Sequence, residues 1–241
     1  MKAPAFDYVK PASLPEALEF LQMPNSKVLA GGQSLIPSLN MRLSSPELLV
    51  DITGLPGLSE IKVLNGVVRI GALVTHAGIE KSPDIKKYIP LLAQAVPHIA
   101  HAAIRNRGTI GGSLALADPA AEYPACAVAL DAVFLIEGKK GKRKVKAERF
   151  FKGLFETDLK AGEILTAAEF PMAGTSDRSV FLELTRRQGD YAIVGLAAHN
   201  GKIVFFGVGS VPFVLKGFSE KEKAKSFLDE HLNPSADLYH A

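Results

Sequence analysis

One cysteine, Cys126, stands in 241 residues. A lone thiol closes no internal disulfide, and by itself it builds neither a Cys-ligated iron–sulfur cluster nor a cysteine-based zinc site. Such sparing use of cysteine fits a reducing compartment. No run of about 18 apolar residues occurs, so nothing in the sequence reads as a membrane span. Neither sign of charge dominates: 28 basic against 25 acidic side chains leave +3, too even a balance to point to nucleic acid. The opening Met1–Asp7 carries an early acid and no apolar segment, so no signal peptide is expected and a cytoplasmic location is. The G-x-S-x-G, H-E-x-x-H and Cys–His constellations are missing too, so no covalent catalysis by the protein is indicated.

What remains is an ordinary globular composition, with 47% hydrophobic and 22% charged residues. A chain of this length can bury roughly three quarters of its extended surface. Ser13-Leu14-Pro15-Glu16 reads as a capping box opening a helix over Ala17–Leu21. Lys27–Ala30 and Leu48–Ile52 read as strands, with a helix over Leu35–Leu43 between them. Asn65-Gly66 predicts a hairpin between Ile61–Leu64 and Val67–Ala72. Thr75 can cap a helix through Glu80, and Ile89–Ala103 reads as an apolar helix that Pro97 kinks or breaks. A helix over Ala120–Leu130, with Asp118 as a candidate cap, precedes strands at Val133–Ile136, Lys142–Val145 and Glu163–Phe170. Strands at Val180–Thr185, Ala192–His199 and Lys202–Val208 follow, the last two joined through Asn200-Gly201, and Ser219–Glu222 opens a helix to about His231. The composition divides near 54 and near 174, giving segments 1–54, 55–173 and 174–241.

Two Gly-Gly turns carry the most local information. Gly31-Gly32-Gln33-Ser34 and Gly111-Gly112-Ser113 each end in a hydroxyl residue. Glycine lets a backbone approach a ligand closely, and successive N–H groups in such a turn form an anion-binding concavity. The two loops can grip the halves of one pyrophosphate, but two tight turns without a ligand are an equally good reading of these residues. Gly207-Val208-Gly209 lacks the third glycine of a Rossmann fingerprint and reads as a turn after a strand. Lys139–Lys146 reads as a solvated basic hairpin. His98 and His101, three apart, can share a helix face without a third metal ligand.

Ala30-Gly31-Gly32-Gln33-Ser34-Leu35 and Thr109-Ile110-Gly111-Gly112-Ser113-Leu114-Ala115 resemble the two FAD pyrophosphate loops of the medium subunit of molybdenum hydroxylases, the family of the carbon monoxide dehydrogenase medium subunit and the xanthine dehydrogenase FAD domain. Phe6-Asp7-Tyr8, Leu49-Val50-Asp51-Ile52, Arg69-Ile70-Gly71-Ala72, Ile104–Gly108, Asp118–Glu122 and Arg186-Arg187-Gln188-Gly189-Asp190-Tyr191-Ala192 keep the family's order over about residues 3–215. The resemblance implies an α+β protein: the two-subdomain FAD-binding fold of the vanillyl-alcohol oxidase type plus a small C-terminal α+β domain. It implies an electron-transfer subunit that receives electrons from iron–sulfur clusters and passes them through FAD to an acceptor such as NAD, a quinone or oxygen. Molybdopterin would sit on a large partner subunit and the two-iron two-sulfur clusters on a small one.

The resemblance assigns residues as well. Ala30, Gly31, Gly32, Gln33, Ser34 and Leu35 would hold the FAD diphosphate from one side, and Thr109, Ile110, Gly111, Gly112 and Ser113 from the other. Asp118 and Glu122 would lie toward the ribityl chain and adenosine, Ile164 and Leu165 would pack on the cofactor, and Tyr191 would cover one face of the isoalloxazine ring. Two departures stand out: Glu183 where many relatives carry lysine, and a short tail after Asp237–His240, which points to a missing family helix or a truncation. A free-standing flavin-dependent oxidase or reductase of the same fold, and a basic adaptor resting on Lys139–Lys146, are the rival readings.

Overall fold

The computed structural model describes residues 2–215 and 221–232. Three main sheets follow one another along the chain. The first comprises β1 (Asp7–Val9), β2 (Ser26–Leu29) and β3 (Leu48–Asp51), parallel in the order β1-β3-β2. Helices α1 (Leu14–Phe20) and α2 (Leu35–Asn40) make the connections that parallel pairing requires. Ser13 caps α1 by accepting the Glu16 N–H, while the Glu16 carboxylate reaches back to the N–H of Ala12, one residue beyond the capping-box position. Ala17 and Leu18 of α1 pack against Leu48, Val50 and Ile52 in a first core.

The second sheet is antiparallel. β4 (Ile61–Leu64) and β5 (Val67–Gly71) form the Asn65-Gly66 hairpin, with Gly66 at φ +78°. Seven helical segments then intervene: α3 (His76–Lys81), α4 (Pro83–Tyr88), α5 (Pro90–Ala95), a 3-10 turn at Val96–His98, α6 (Ala102–Arg105), α7 (Ile110–Leu116) and α8 (Glu122–Ala129). β6 (Val133–Gly138) and β7 (Gly141–Lys146), the one-turn α9 (Ala147–Phe150), the small β8–β9 pair (Phe151–Gly153, Glu156–Thr157) and β10 (Glu163–Pro171) complete it, in the order β4-β5-β10-β6-β7. Its main core is built around α8, every residue of which is buried, and around the edge-to-face cluster of Phe134, Phe150 and Phe151. Each large side chain so buried contributes about 1.5–3 kcal/mol by leaving water.

The third sheet is antiparallel: β11 (Ser179–Leu184), β12 (Val194–His199), β13 (Lys202–Phe206) and β14 (Phe213–Leu215), followed by α10 (Lys221–His231). Asn200 and Gly201, both at positive φ, turn β12 into β13. Phe181, Ala197, Val204 and Phe206 face the main core. Of the expected C-terminal capping box, Ser219 and Glu220 lie outside the described residues, as does Asp237–His240.

Four expectations need correction. The helix expected over Ile89–Ala103 breaks at Pro97, as its missing N–H allows, but also a second time where Ala100 sits at φ +42°, leaving three pieces. Gly111-Gly112 is not a turn but the first turn of α7, because Thr109 caps the helix through the Gly112 N–H at 3.1 Å. Asp118 does not cap α8, whose N-cap is Ala121; its carboxylate closes a local turn by accepting the Ala120 N–H at 2.9 Å. His98 and His101 do not share a helix, since the bend at Ala100 separates them.

Candidate functional site

A cleft of about 510 Å³ runs between the first and second sheets. Its first wall begins where β2 ends. Gly32 at φ +73° turns the chain into α2, a conformation that favours glycine. The Gln33 amide braces the turn by donating to the Gly31 carbonyl at 3.1 Å. Among the described residues, the N–H groups of Gly32, Gln33, Ser34 and Leu35 find no acceptor. Four open donors at a helix entrance make an electropositive concavity suited to phosphate.

The facing wall has a different chemistry. The N–H groups of Ile110, Gly111, Gly112 and Ser113 are all taken, by Val74 and Ala72 carbonyls and by the Thr109 hydroxyl and carbonyl. This side therefore offers the Ser113 hydroxyl and the positive end of α7 rather than a second nest of free amides. Ile110 points away into the main core and does not line the cleft. The two walls touch at Gly31, where a side chain would collide with the Arg107 carbonyl. Gly111 does the same within the second unit, letting α7 pack against Ala72 just past β5.

Asp118, Glu122, Ile164, Leu165 and Tyr191 also reach the cleft. Ile164 and Leu165 are buried and adjacent on β10, so they face opposite ways; Ile164 joins the first core and Leu165 the main one. Glu122 is buried at the start of α8, and burial, assisted by the nearby Glu183 and Asp118 carboxylates, pushes its carboxyl up to about 8. Neutral at pH 7, it presents an O–H donor rather than a charge. Tyr191 stands at the rim, 77% exposed, with a ring free to cover a bound group.

Sequence reasoning passed over two lining residues. Lys27 brings an ammonium group to the cleft, and its signal was a basic residue in the strand that leads into Gly31. His76 is buried beneath the wall, with its Nδ1 unpartnered and its ring 5.3 Å from that of Tyr123. Burial and the Arg105 cation hold it down at about 4, so the ring is neutral. Arg105 itself anchors the 99–100 bend by donating to the carbonyls of Ile99 and Ala100.

The chain resembles known proteins over most of its length. The sequence profile of the family described as the FAD binding domain in molybdopterin dehydrogenase matches residues 4–173. The chain is 44% identical over 200 residues to the 6-hydroxypseudooxynicotine dehydrogenase complex subunit alpha of Paenarthrobacter nicotinovorans, covering 82% of this chain and 68% of that one. It is 34% identical to the carbon monoxide dehydrogenase medium chain of Hydrogenophaga pseudoflava, covering 98% and 86%. Quinoline 2-oxidoreductase from Pseudomonas putida 86 superposes with a TM-score of 0.93 at 38% identity, over 100% of this chain and 91% of that structure's.

Proposed function

The chain belongs to the FAD-binding domain family of molybdopterin dehydrogenases, and from that premise we propose how its cleft holds the cofactor. The protein is the medium, FAD-binding subunit of a molybdenum hydroxylase, an oxidoreductase in which electrons pass through FAD. Segments 1–54 and 55–173 form the two halves that flank the cofactor, and 174–241 the C-terminal domain.

One observation carries the reading of the site: four unsatisfied N–H groups at residues 32–35 face the Ser113 hydroxyl across backbone walls in contact at Gly31 and Arg107. The diphosphate fits the 32–35 concavity, with Ser113 and the α7 N-terminus opposite. Lys27 offers a positive charge to the same anion. Glu122 and Asp118 lie toward the ribityl and adenosine side, Ile164 and Leu165 supply apolar wall, and Tyr191 covers the isoalloxazine ring. Ring-on-ring contact there adds about 0.5–1.5 kcal/mol beyond burial.

FAD supplies the redox chemistry, accepting electrons from partner-held two-iron two-sulfur clusters and releasing them to NAD, a quinone or oxygen. This chain binds, orients and shields it. The complex contains a molybdopterin-bearing large subunit and an iron–sulfur small subunit, and its place is the cytoplasm. No helix among the described residues is long and apolar enough to cross a membrane. Reconstitution with FAD tests the site: about one flavin per chain should be retained by the wild type and lost when Ser34 and Ser113 are both replaced by Asp, which sets like charge against phosphate. Full retention by that variant would refute the assignment.

A further inference from the structure

His76 belongs to neither glycine loop, yet it lines the cleft. Thr75 caps α3 by accepting the Gly78 N–H and forms a β-bridge with Thr109, while the His76 N–H donates to the Gly108 carbonyl at 2.9 Å. The residue is thereby fixed against the segment that leads into α7. Its ring fills the place that a side chain on residue 108 would take: a carbon added to Gly108 would stand 2.6 Å from His76 Nε2 and 2.8 Å from Cδ2. Gly108 itself lines the cleft, one residue after the Arg107 carbonyl that packs against Gly31. The Nε2 edge of the ring therefore lies beside the point where the two walls meet.

The two ring nitrogens differ in surroundings. Nδ1 is sealed from solvent without a partner among the described residues. Nε2 also makes no hydrogen bond to a described residue but is not sealed, so it belongs to the 5% of His76 that stays accessible. Burial and the Arg105 cation hold the ring down to about 4, so near neutral pH it carries a single proton. Arg105 has its own donors engaged by Glu80 and by the carbonyls of Ile99 and Ala100. A buried imidazole left without partners costs free energy, and an acceptor arriving at its one accessible nitrogen recovers part of that cost.

We infer that His76 is a cofactor-binding residue, which donates a hydrogen bond from Nε2 to a phosphate oxygen of FAD where the two walls meet. This rests on the reading of the cleft as the FAD site. The open N–H groups begin at Gly32, next to the Gly31–Arg107 contact, so the diphosphate they hold is the part of the cofactor nearest to His76. The first wall then supplies backbone donors, the second the Ser113 hydroxyl, and His76 a donor from the seam between them. With its backbone tied to Gly108 and its ring packed between Gly108 and Tyr123, His76 has little freedom to lose on binding. It gives direction to the anion's contacts without adding a charge.

The test is FAD titration of the full chain and of His76→Gln, His76→Asn and His76→Phe, with urea midpoints on the same samples. Glutamine carries its amide nitrogen at the reach of Nε2, asparagine at that of Nδ1, and phenylalanine keeps only the ring. His76→Gln should bind FAD within about threefold of the wild type, and the other two should bind about tenfold more weakly. As a reading that needs no variant to fold, nitrogen-15 NMR of the histidine-labelled wild type should find the His76 proton on Nε2 and show that resonance moving as FAD is added. Wild-type affinity in both His76→Asn and His76→Phe overturns the inference, as does a loss in His76→Gln equal to that in His76→Phe. An Nε2 resonance unmoved at saturating FAD overturns it too, and leaves the cofactor site standing. A wild type that binds no FAD would instead overturn the cofactor assignment, and this inference with it.

Discussion

Arg107 turns its backbone carbonyl into the space that a side chain on residue 31 would fill. The contact joins the loop after β2 to the loop before α7, so the spacing of the two cleft walls is set by the absence of one methyl group. Gly31→Ala should therefore cost about 2 kcal/mol or more and lower FAD affinity at least about tenfold. Gly112→Ala should be mild, since its added carbon meets only the Thr109 hydroxyl at 3.0 Å. Urea midpoints together with FAD titration give the ranking, and equal effects at the two positions would contradict it.

The hydroxyls of the second wall divide their labour. Thr109 caps α7, whereas Ser113 is free to meet phosphate. Thr109→Val should lose about 1 kcal/mol of stability. Ser113→Ala should leave the melting temperature alone and weaken FAD by about 1 kcal/mol, or roughly fivefold. Calorimetric melting and flavin binding on the same samples separate the two.

The buried carboxyls make stability depend on pH. Glu122 and Glu183 keep protons in the folded chain up to about 8 and about 7, and release them in the unfolded chain near the ordinary carboxylate value of 4.5. Their contribution is full below that lower value, falls as pH rises through about 7 and 8, and is flat beyond. The FAD-free chain should lose on the order of 3 kcal/mol across this window after relaxation, and Glu122→Gln should flatten most of the slope. Denaturant unfolding at a series of pH values measures it, and a stability that rises with pH over this window would be the opposite result.

Tyr191 is exposed enough that Tyr191→Ala should change stability by less than about 0.5 kcal/mol. Its effect should fall on the flavin: a shifted absorption band and a reoxidation rate changed several-fold, with Tyr191→Phe close to wild type. An unchanged spectrum and rate would remove the ring from the cofactor face.

Arg143 ties the floor of the cleft to the sheet edge. Its guanidinium grips both Glu163 oxygens at 2.8 and 2.7 Å and reaches Asp158 at 2.5 Å, holding both carboxyls below the usual range. Leu159, Ile164 and Leu165 line the cleft beside this clamp. Lysine cannot reproduce the fork, so Arg143→Lys should cost about 1–2 kcal/mol and loosen FAD several-fold. Equal FAD affinity in the variant would make the clamp a matter of stability alone.

Local chemistry made much of this legible beforehand. Asn65-Gly66 and Asn200-Gly201 announced hairpins because few other residue pairs reach positive φ so easily, and Ser13 announced α1 because its hydroxyl satisfies an open N–H. The basic run read as a solvated hairpin is the β6–β7 turn and β7, although Arg143 and Lys144 are tied to acids on and beside β10. Distant contacts stayed hidden. Gly111-Gly112 looks like a turn until Ala72 is seen against it, which explains a glycine inside a helix. The unequal chemistry of the two loops arises from carbonyls at 72 and 74, nearly forty residues upstream of α7. Glu183 read as a missing positive charge, because only the tertiary fold seals a strand carboxyl from water.

Strand β10 sends Ile164 into one hydrophobic core and its neighbour Leu165 into the other. A jaw-like motion about the cleft would have to tear one of those side chains from its packing, so the two halves behave as a fixed vice rather than a hinge. Flavin entry and exit must then proceed through the open rim beside Tyr191, and the apo and loaded chains should scatter X-rays with nearly the same radius of gyration.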